Sequence, residues 1–419
     1  MHTARYLTVA ALATIAACSD TDRPTEPRQP DEQVTLNVQA ARDTAVGPND
    51  YIVVLKDTEG NVGAAATRFG AMAGVQVKTT WDQALKGFLA ELTPAALERL
   101  RADAAVDFVE KDAMAYMDQG GSVQVIQPVA GIWGLDRIDQ RPLPLNGQYQ
   151  YFRTGGPPGV VIHVYVIDSG INLGHVDFAG SIGAGISFVP GAPSVMDCNG
   201  HGTHVSSTLG GNTFGVAKGV IIHPVRVFDC AGGAPFSRII SAVNWVQAND
   251  IAPAVTNMSL GGGFHAATNG AVNALVASGN SVVVAAGNNN ANACGSSPAS
   301  AVNAITVGST GDPAGAAVPP AIPDRRSSFS NWGPCLDLFA PGRNIRAAWI
   351  GGAAVTALLS GTSMASPHAA GAAALLRDKF PAWTPIMVRN SLVGNATLGI
   401  VTNPGAGSPN RLLYMGYIL

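Results

Sequence analysis

Charge is scarce in this chain: Lys, Arg, Asp and Glu supply 13% of the 419 residues, and the formal net charge is −3. A balance so near neutral leaves no basic footprint of the kind that nucleic-acid binding needs. Long apolar runs are missing too. Beyond residue 20 no stretch approaches the roughly 20 apolar residues of a membrane-spanning helix, so the body of the chain is expected to be soluble. Cysteine is sparse at five, an odd number that leaves one thiol outside any internal pairing. What is plentiful is apolar and small: 47% hydrophobic residues and 49 glycines. That mix suits a buried parallel sheet with tight loops and excludes a disordered chain. The length leaves room for two or three domains and a large core.

His2 and Arg5, an apolar stretch from Tyr6 to Ala17 and small residues at its end have the make-up of a secretory signal over residues 1–18. Ile15-Ala16-Ala17-Cys18 resembles a bacterial lipobox, which implies lipidation of Cys18 and a precursor anchored to a bacterial envelope. An ordinary signal peptide with an incidental cysteine is the other reading. Residues 19–48 are rich in Pro, Asp, Glu, Thr and Gln and predict a disordered tether. Residues 49–118 predict a small ferredoxin-like α+β domain in the order β-α-β-α-β. Its strands are expected at Tyr51–Leu55, Leu85–Leu92 and Val106–Lys111, with helices at Val62–Gly74 and after Thr93-Pro94. Gly120-Gly121-Ser122 marks a linker over 119–130. From 131 to 419, strands at Val160–Ile167, Val220–Asp229, Ala254–Leu260, Ser281–Ala286 and Ala304–Gly308 are interleaved with helices at Phe236–Asn249 and Ala266–Ser278. Strand alternating with helix predicts an α/β fold with a doubly wound parallel sheet.

Three motifs in this second domain carry chemistry. Val166-Ile167-Asp168-Ser169-Gly170 puts a carboxylate at the carboxyl end of a buried strand, where α/β folds place their sites. Asn199-Gly200-His201-Gly202-Thr203-His204 opens a small-residue helix with an imidazole. Gly361-Thr362-Ser363-Met364-Ala365-Ser366-Pro367 sets a hydroxyl at the mouth of a helix that is apolar all round and therefore buried, with Pro367 expected only near its start. Taken singly, Asp168 reads equally as the cap of a turn, and Ser363 reads sooner as a helix cap. His201 and His204 invite a metal pair, but no carboxylate stands at the matching helical spacing, and His204 is expected to be a packed core histidine.

In the order Asp168, His201, Ser363 the motifs resemble those of the subtilisin-like serine proteases. Over residues 130–419 the resemblance is closest to the proteinase K and aqualysin branch. The chemistry it implies needs these residue types. A serine hydroxyl is too weak an acid to attack an amide unaided, so His201 takes its proton and later returns it to the leaving amine. Asp168 holds the imidazole tautomer and stabilises the imidazolium. Asn288, in Ala285-Ala286-Gly287-Asn288, matches the family's oxyanion-hole asparagine, with the Ser363 backbone N–H as second donor; a plain turn asparagine is the alternative. Gly232-Gly233-Ala234 and Ser259-Leu260-Gly261 match the segments that flank an extended polypeptide substrate. None of these, nor Ala285 to Gly287, carries a charge, which implies broad apolar or aromatic preference. Phe236 lines a further subsite or merely packs in the core.

The same resemblance extends further. The Tyr-Ile-Val-Val-Leu opening and Val-Asp-Phe-Val-Glu-Lys-Asp ending of 49–118 resemble the family's inhibitory pro-domain. This implies an intramolecular chaperone and inhibitor, cut off by the enzyme itself between about residues 118 and 127. With Cys18 set aside, four cysteines allow three pairings; the aqualysin pattern implies Cys198–Cys230 and Cys294–Cys335. It also implies structural calcium held by Asp337 and the carbonyls of Val302 and Ala304, oxygen ligands of the kind hard cations take. An Asp capping a turn is the plainer reading of Asp337. No organic cofactor is implied and a monomer is expected. Ser366 stands where relatives usually carry Thr, Thr310–Ile322 predicts an extra surface loop, and the ending near Tyr414 implies no further C-terminal domain. Two rivals remain: a non-catalytic, lipid-anchored binding protein on this fold, and a nucleotide-binding α/β protein. The first would be expected to lose a triad residue, and the second needs a phosphate-cradling Gly motif that Asp168-Ser169-Gly170-Ile171 does not provide.

Overall fold

Runs of β-branched residues and helices, some of them capped by side chains, build two units, a small antiparallel one followed by a large parallel one. The computed structural model describes residues 46–117, 132–151, 154, 160–311 and 324–418, and the backbone of 124–126. The signal-like segment with Cys18, nearly all of the tether, most of the connector and most of the 310–322 insertion lie outside the described residues.

The small unit runs β1 (Asp50–Leu55), α1 (Val62–Gly70), β2 (Val75–Trp81), β3 (Gly87–Leu92), α2 (Pro94–Arg101) and β4 (Val106–Lys111). Its strands pair in the order β2-β3-β1-β4, all antiparallel. Asn61 caps α1 through the Ala64 N–H, and Thr93 caps α2 ahead of Pro94. One element departs from expectation. The first helix stops at Gly70, and the chain turns through Gly74 (φ +83°) into β2. In Val75–Trp81 inward and exposed residues alternate, but only the two end residues are buried, so the strand's apolar face is weakly marked.

The small unit ends in a short strand, β5 (Met114–Met117), and the large unit begins with β6 (Gln124–Ile126) and helix α3 (Trp133–Ile138). There follow β7 (His163–Asp168), β8 (Ile186–Ser187), α4 (His201–Gly210), β9 (Ile221–Arg226), β10 (Gly233–Pro235) and α5 (Phe236–Asn249). Next come β11 (Ala254–Met258), β12 (Leu260–Gly263), α6 (Ala266–Ala277), β13 (Ser281–Ala285), β14 (Ser296–Ser297), β15 (Ile305–Thr310) and β16 (Leu338–Pro341). The last elements are β17 (Ile345–Ala348), β18 (Thr356–Leu359), α7 (Thr362–Lys379), α8 (Pro385–Asn395), β19 (Thr397–Leu398) and β20 (Arg411–Leu412).

The main sheet has the order β19-β20-β16-β15-β13-β11-β7-β9-β8. Every neighbouring pair is parallel except β19 with β20. Helices α4 and α7 fill the core on one face, while α5 and α6 fill the other. Every residue of α7 from Thr362 to Asp378 is buried, which is why it carries so little polarity. Disulfides join Cys198 to Cys230 and Cys294 to Cys335, as the family pattern implies.

Candidate active site

Asp168 ends β7 at the carboxyl edge of the sheet, and His201 opens α4. The two meet directly: His201 Nδ1 donates to Asp168 Oδ1 at 2.8 Å, and both side chains are fully buried. That bond fixes the tautomer and leaves the Nε2 lone pair free to accept a proton. Nε2 is itself buried, with no hydrogen-bond partner among the described residues.

The turn after β7 and the start of α4 are clamped by a residue to which sequence reasoning gave no role. Asp197 Oδ1 accepts from the Ser169 hydroxyl and from the Asn199 and Gly200 amides. Its Oδ2 accepts from the Thr203 amide and hydroxyl. The acid four residues ahead of a helix-opening histidine, with Thr two residues after it, is the capping pattern that could have flagged it. Gly202 completes the join: a Cβ there would lie 2.3 Å from the Gly170 carbonyl oxygen.

Ser363 is the second residue of α7, so the free N–H groups of the helix start surround it. Its Oγ donates to the Ser259 carbonyl at 3.2 Å, while the Ser259 hydroxyl donates to the Ser363 carbonyl at 2.8 Å. Pro367 explains the second bond. It sits in the second turn of α7 rather than at the very start, and it lacks the N–H that would have reached back four residues to Ser363. The orphaned carbonyl accepts from Ser259 instead. Ser366 donates to Asn257 Oδ1 at 2.7 Å and Asn257 donates to the Ser259 hydroxyl at 2.9 Å, so strand β11 and helix α7 are locked through buried polar groups.

Asn288 lies just beyond β13. Its Oδ1 accepts from the Thr362 amide and hydroxyl at 2.9 and 3.0 Å, which orients the amide. Nδ2 is left buried without a partner among the described residues, as a donor kept for a transient oxyanion would be. Gly287 beside it has φ +100°, and a Cβ there would strike Asn331 Nδ2 at 2.3 Å.

The predicted substrate segments flank one cleft. Strand β5 lies antiparallel between β10 and β12, with Tyr116 opposite Gly233 and Gly261. The Met117 amide points to the Gly232 carbonyl at 3.5 Å. Ala234 pairs with Ala115, and Leu260 with Met117. Phe236 is buried and stacks on His265 at 4.4 Å, its ring close to Gly262. Ala285, Ala286 and Gly287 border a cavity of about 540 Å³ whose lining contains no charged side chain.

Two acids of the small unit dock against the large one. Glu110 accepts from the Ala266 and Ala267 amides at the start of α6. Asp112 accepts from the Ser237 amide and hydroxyl at the start of α5. Both place negative charge at a helix N-terminus. Burial pushes Asp112 up to about 6, against the pull of its hydrogen bonds to Ser237. His204 behaves as a core residue: it is fully buried, Nε2 donates to the Ile345 carbonyl at 2.9 Å, and burial lowers its pKa to about 3.

The calcium expectation needs correcting. Arg389 donates to Asp337 Oδ1 through Nε at 2.9 Å and Nη2 at 2.7 Å, and to the Val302 carbonyl through Nη1 at 3.0 Å. Asp337 Oδ2 accepts from the Thr306 amide. A guanidinium, not an open oxygen shell, therefore joins Asp337 to Val302, and so paired these residues do not fit a calcium ion. Arg389→Met is expected to lower stability by roughly 1.5–3 kcal/mol, the worth of hydrogen bonds to a charged group. Urea unfolding in the presence of a chelator reads it; an unmoved midpoint would show that the guanidinium is not what holds these acceptors.

Comparison with known proteins places this geometry. A family model described as "Subtilase family" matches residues 159–416, and one described as "Peptidase inhibitor I9" matches residues 50–118. The chain is 46% identical over 351 residues to an extracellular serine proteinase of Thermus sp. (strain Rt41A), covering 84% of this chain and 80% of that one. It is 42% identical over 347 residues to alkaline serine exoprotease A of Vibrio alginolyticus, covering 83% of this chain and 62% of that one. Among solved structures, a cold-adapted subtilisin-like serine proteinase superposes with a TM-score of 0.62 at 45% identity, covering 68% of this chain and 99% of that one.

Proposed function

The chain belongs to the subtilase family of serine endopeptidases, and we propose from that premise that it is exported as a self-inhibited precursor. In this reading His201 takes the proton of Ser363 as the hydroxyl attacks the substrate carbonyl, and Asp168 steadies the charged ring. Asn288 Nδ2 and the Ser363 amide then receive the oxyanion. The imidazolium protonates the departing amine, and water releases the acyl-enzyme by the reverse sequence.

The observation that carries this reading is β5. It lies between β10 and β12 as an added strand, the way a peptide binds a sheet edge. It is the chain's own segment in the place of substrate. The uncharged cavity supports broad acceptance of apolar and aromatic side chains before the cut bond. Peptides differing only at that residue test this, and cleavage confined to Arg or Lys would overturn it.

The pro-domain boundary is narrowed by the same strand. Met117 ends β5 in the cleft, whereas Gln124 already begins β6, paired with β18 of the large unit. Self-cleavage is therefore expected within 118–123, and the mature N-terminus is expected no later than Gln124. N-terminal sequencing after incubation of the purified precursor checks it; a start before Asp118 or beyond Gln124 would contradict it. The Thermus relative is named extracellular, which supports export. A lipid on Cys18 would stay with the pro-domain, leaving the mature enzyme free of it.

Release of the pro-domain should depend on pH through Asp112. Docking raises its pKa to about 6 by burial, from an ordinary value of about 3.9. The docked state thus binds more protons, so the hold tightens as pH falls from about 6 towards 4 and gains nothing above that window. Dissociation of the processed complex, followed by tryptophan fluorescence, is expected to slow across this range, and the slowing should vanish in Asp112→Asn. Identical pH profiles for the two chains would exclude Asp112 as the source.

A further inference from the structure

A buried amide outside the triad grips the loop that carries Asn288, and does so on both sides of it. Asn331 lies in the connection between β15 and β16, with its side chain closed to solvent. Its Nδ2 donates to the Ala286 carbonyl at 2.9 Å. Its Oδ1 accepts from the Asn289 and Ala291 amides, each at 3.0 Å. The backbone amide of Asn331 donates to the Gly287 carbonyl at 2.8 Å. Asn288 therefore hangs between four points fixed by one residue, two ahead of it and two behind.

The residue type follows from the partners. Two N–H groups converge on one side-chain atom and a carbonyl faces the other, so one end must accept twice and the other must donate. A carboxylate lacks the donor, and an aliphatic side chain of the same shape lacks both. Contact is close: a Cβ on Gly287 would lie 2.3 Å from Asn331 Nδ2. Neighbouring bonds follow the same course. The Asn290 amide donates to the Phe329 carbonyl at 2.7 Å, and the Trp332 amide donates to the Ala291 carbonyl at 2.9 Å. Asn331 is in turn anchored to the main sheet. The Ser309 amide of β15 donates to the Ser330 hydroxyl, which donates to the Asn331 carbonyl.

The two ends of Asn288 are thus held separately. Thr362 takes its Oδ1 and fixes the direction of the side-chain amide. Asn331 fixes the backbone from which that amide is aimed. The wall of the cavity is made of Ala286, Gly287, Asn288, Asn289 and Ala291, and Asn331 stands behind it.

We propose that Asn331 is a positioning residue for the oxyanion donor, placing the Asn288 backbone so that Nδ2 meets the oxygen of the tetrahedral state. The proposal rests on the reading of Asn288 as that donor. Such stabilisation depends on donors set in place before the charge develops, and a misplacement of about 1 Å can cost about 10²-fold in rate. Buried between a strand connection and the loop, Asn331 acts only through what it holds.

A double-mutant cycle tests this. Asn331→Ala leaves the Ala286 carbonyl and the Asn289 and Ala291 amides without their partner, and is expected to lower kcat by about 10–100-fold, with a smaller change in KM. In an Asn288→Ala background the same change should cost little more, because the donor it would misplace is already gone. A residue that only supports the fold would cost the same factor in both backgrounds, so equal losses would overturn the proposal. Parental kcat in a folded Asn331→Ala chain would overturn it too. Circular dichroism and thermal unfolding accompany each chain. Should Asn331→Ala fail to fold, Asn331→Asp is read by the same criteria at alkaline pH, where its carboxylate fills the space without a donor for Ala286. Undiminished kcat in Asn288→Ala alone would instead remove the reading of Asn288 as the donor, and this proposal with it.

Discussion

Ser363→Ala is expected to lower kcat by about 10⁶-fold and to leave the precursor at full length. The size is the one measured for the nucleophilic serine of subtilisin, a member of the same family. The geometry explains why nothing compensates. His201 Nε2 is buried with no partner among the described residues; in the proposed mechanism it would have only water to activate once the Ser363 hydroxyl is removed. The remaining turnover would come from the oxyanion donors and from substrate binding. Single-turnover hydrolysis of a peptide amide gives the loss, and gel mobility of the purified precursor gives the processing result. Precursor that still shortened to mature size after this change would point to a different nucleophile.

Asn288→Ala is expected to cost about 10²–10³-fold in kcat with KM nearly unchanged, a magnitude again measured for the matching asparagine of subtilisin. The split between the two constants is the informative part. The oxyanion exists only in the transition state, so removing its donor should spare ground-state binding. Because Asn288 also accepts the two bonds from Thr362, thermal unfolding is measured alongside to separate a loss of structure from a loss of catalysis. A raised KM with kcat intact would show that Asn288 serves substrate binding instead.

Legibility followed the range of the interaction. Asp168, His201 and Ser363 stood out because each sits in a local motif whose residue types have few other uses together; the structure joins Asp168 to His201 directly and sets Ser363 at the start of a helix that packs in the same core as α4. The buried parallel strands showed as β-branched runs. Strand β2 escaped because its inward face holds Thr79 beside Val75, Val77 and Trp81, and only Val75 and Trp81 are buried. Arg389 was invisible as the partner of Asp337 because 52 residues separate them, and no local pattern announces such a contact. The grip of Glu110 and Asp112 on α6 and α5 is of the same kind: acids on one unit find helix ends on another. Pro367 was read as a helix-start residue, when its effect is to free a carbonyl one turn back.

The two flanks of the connector belong to different sheets. Met117 is part of the ribbon in the cleft and Gln124 lies on the edge of β18. On the proposed self-cleavage between them, the strand on each side would keep its own neighbours. Such ends would not be held together for the bond to be remade. The proposed maturation would thereby acquire a direction, supplied by where the flanking strands are anchored.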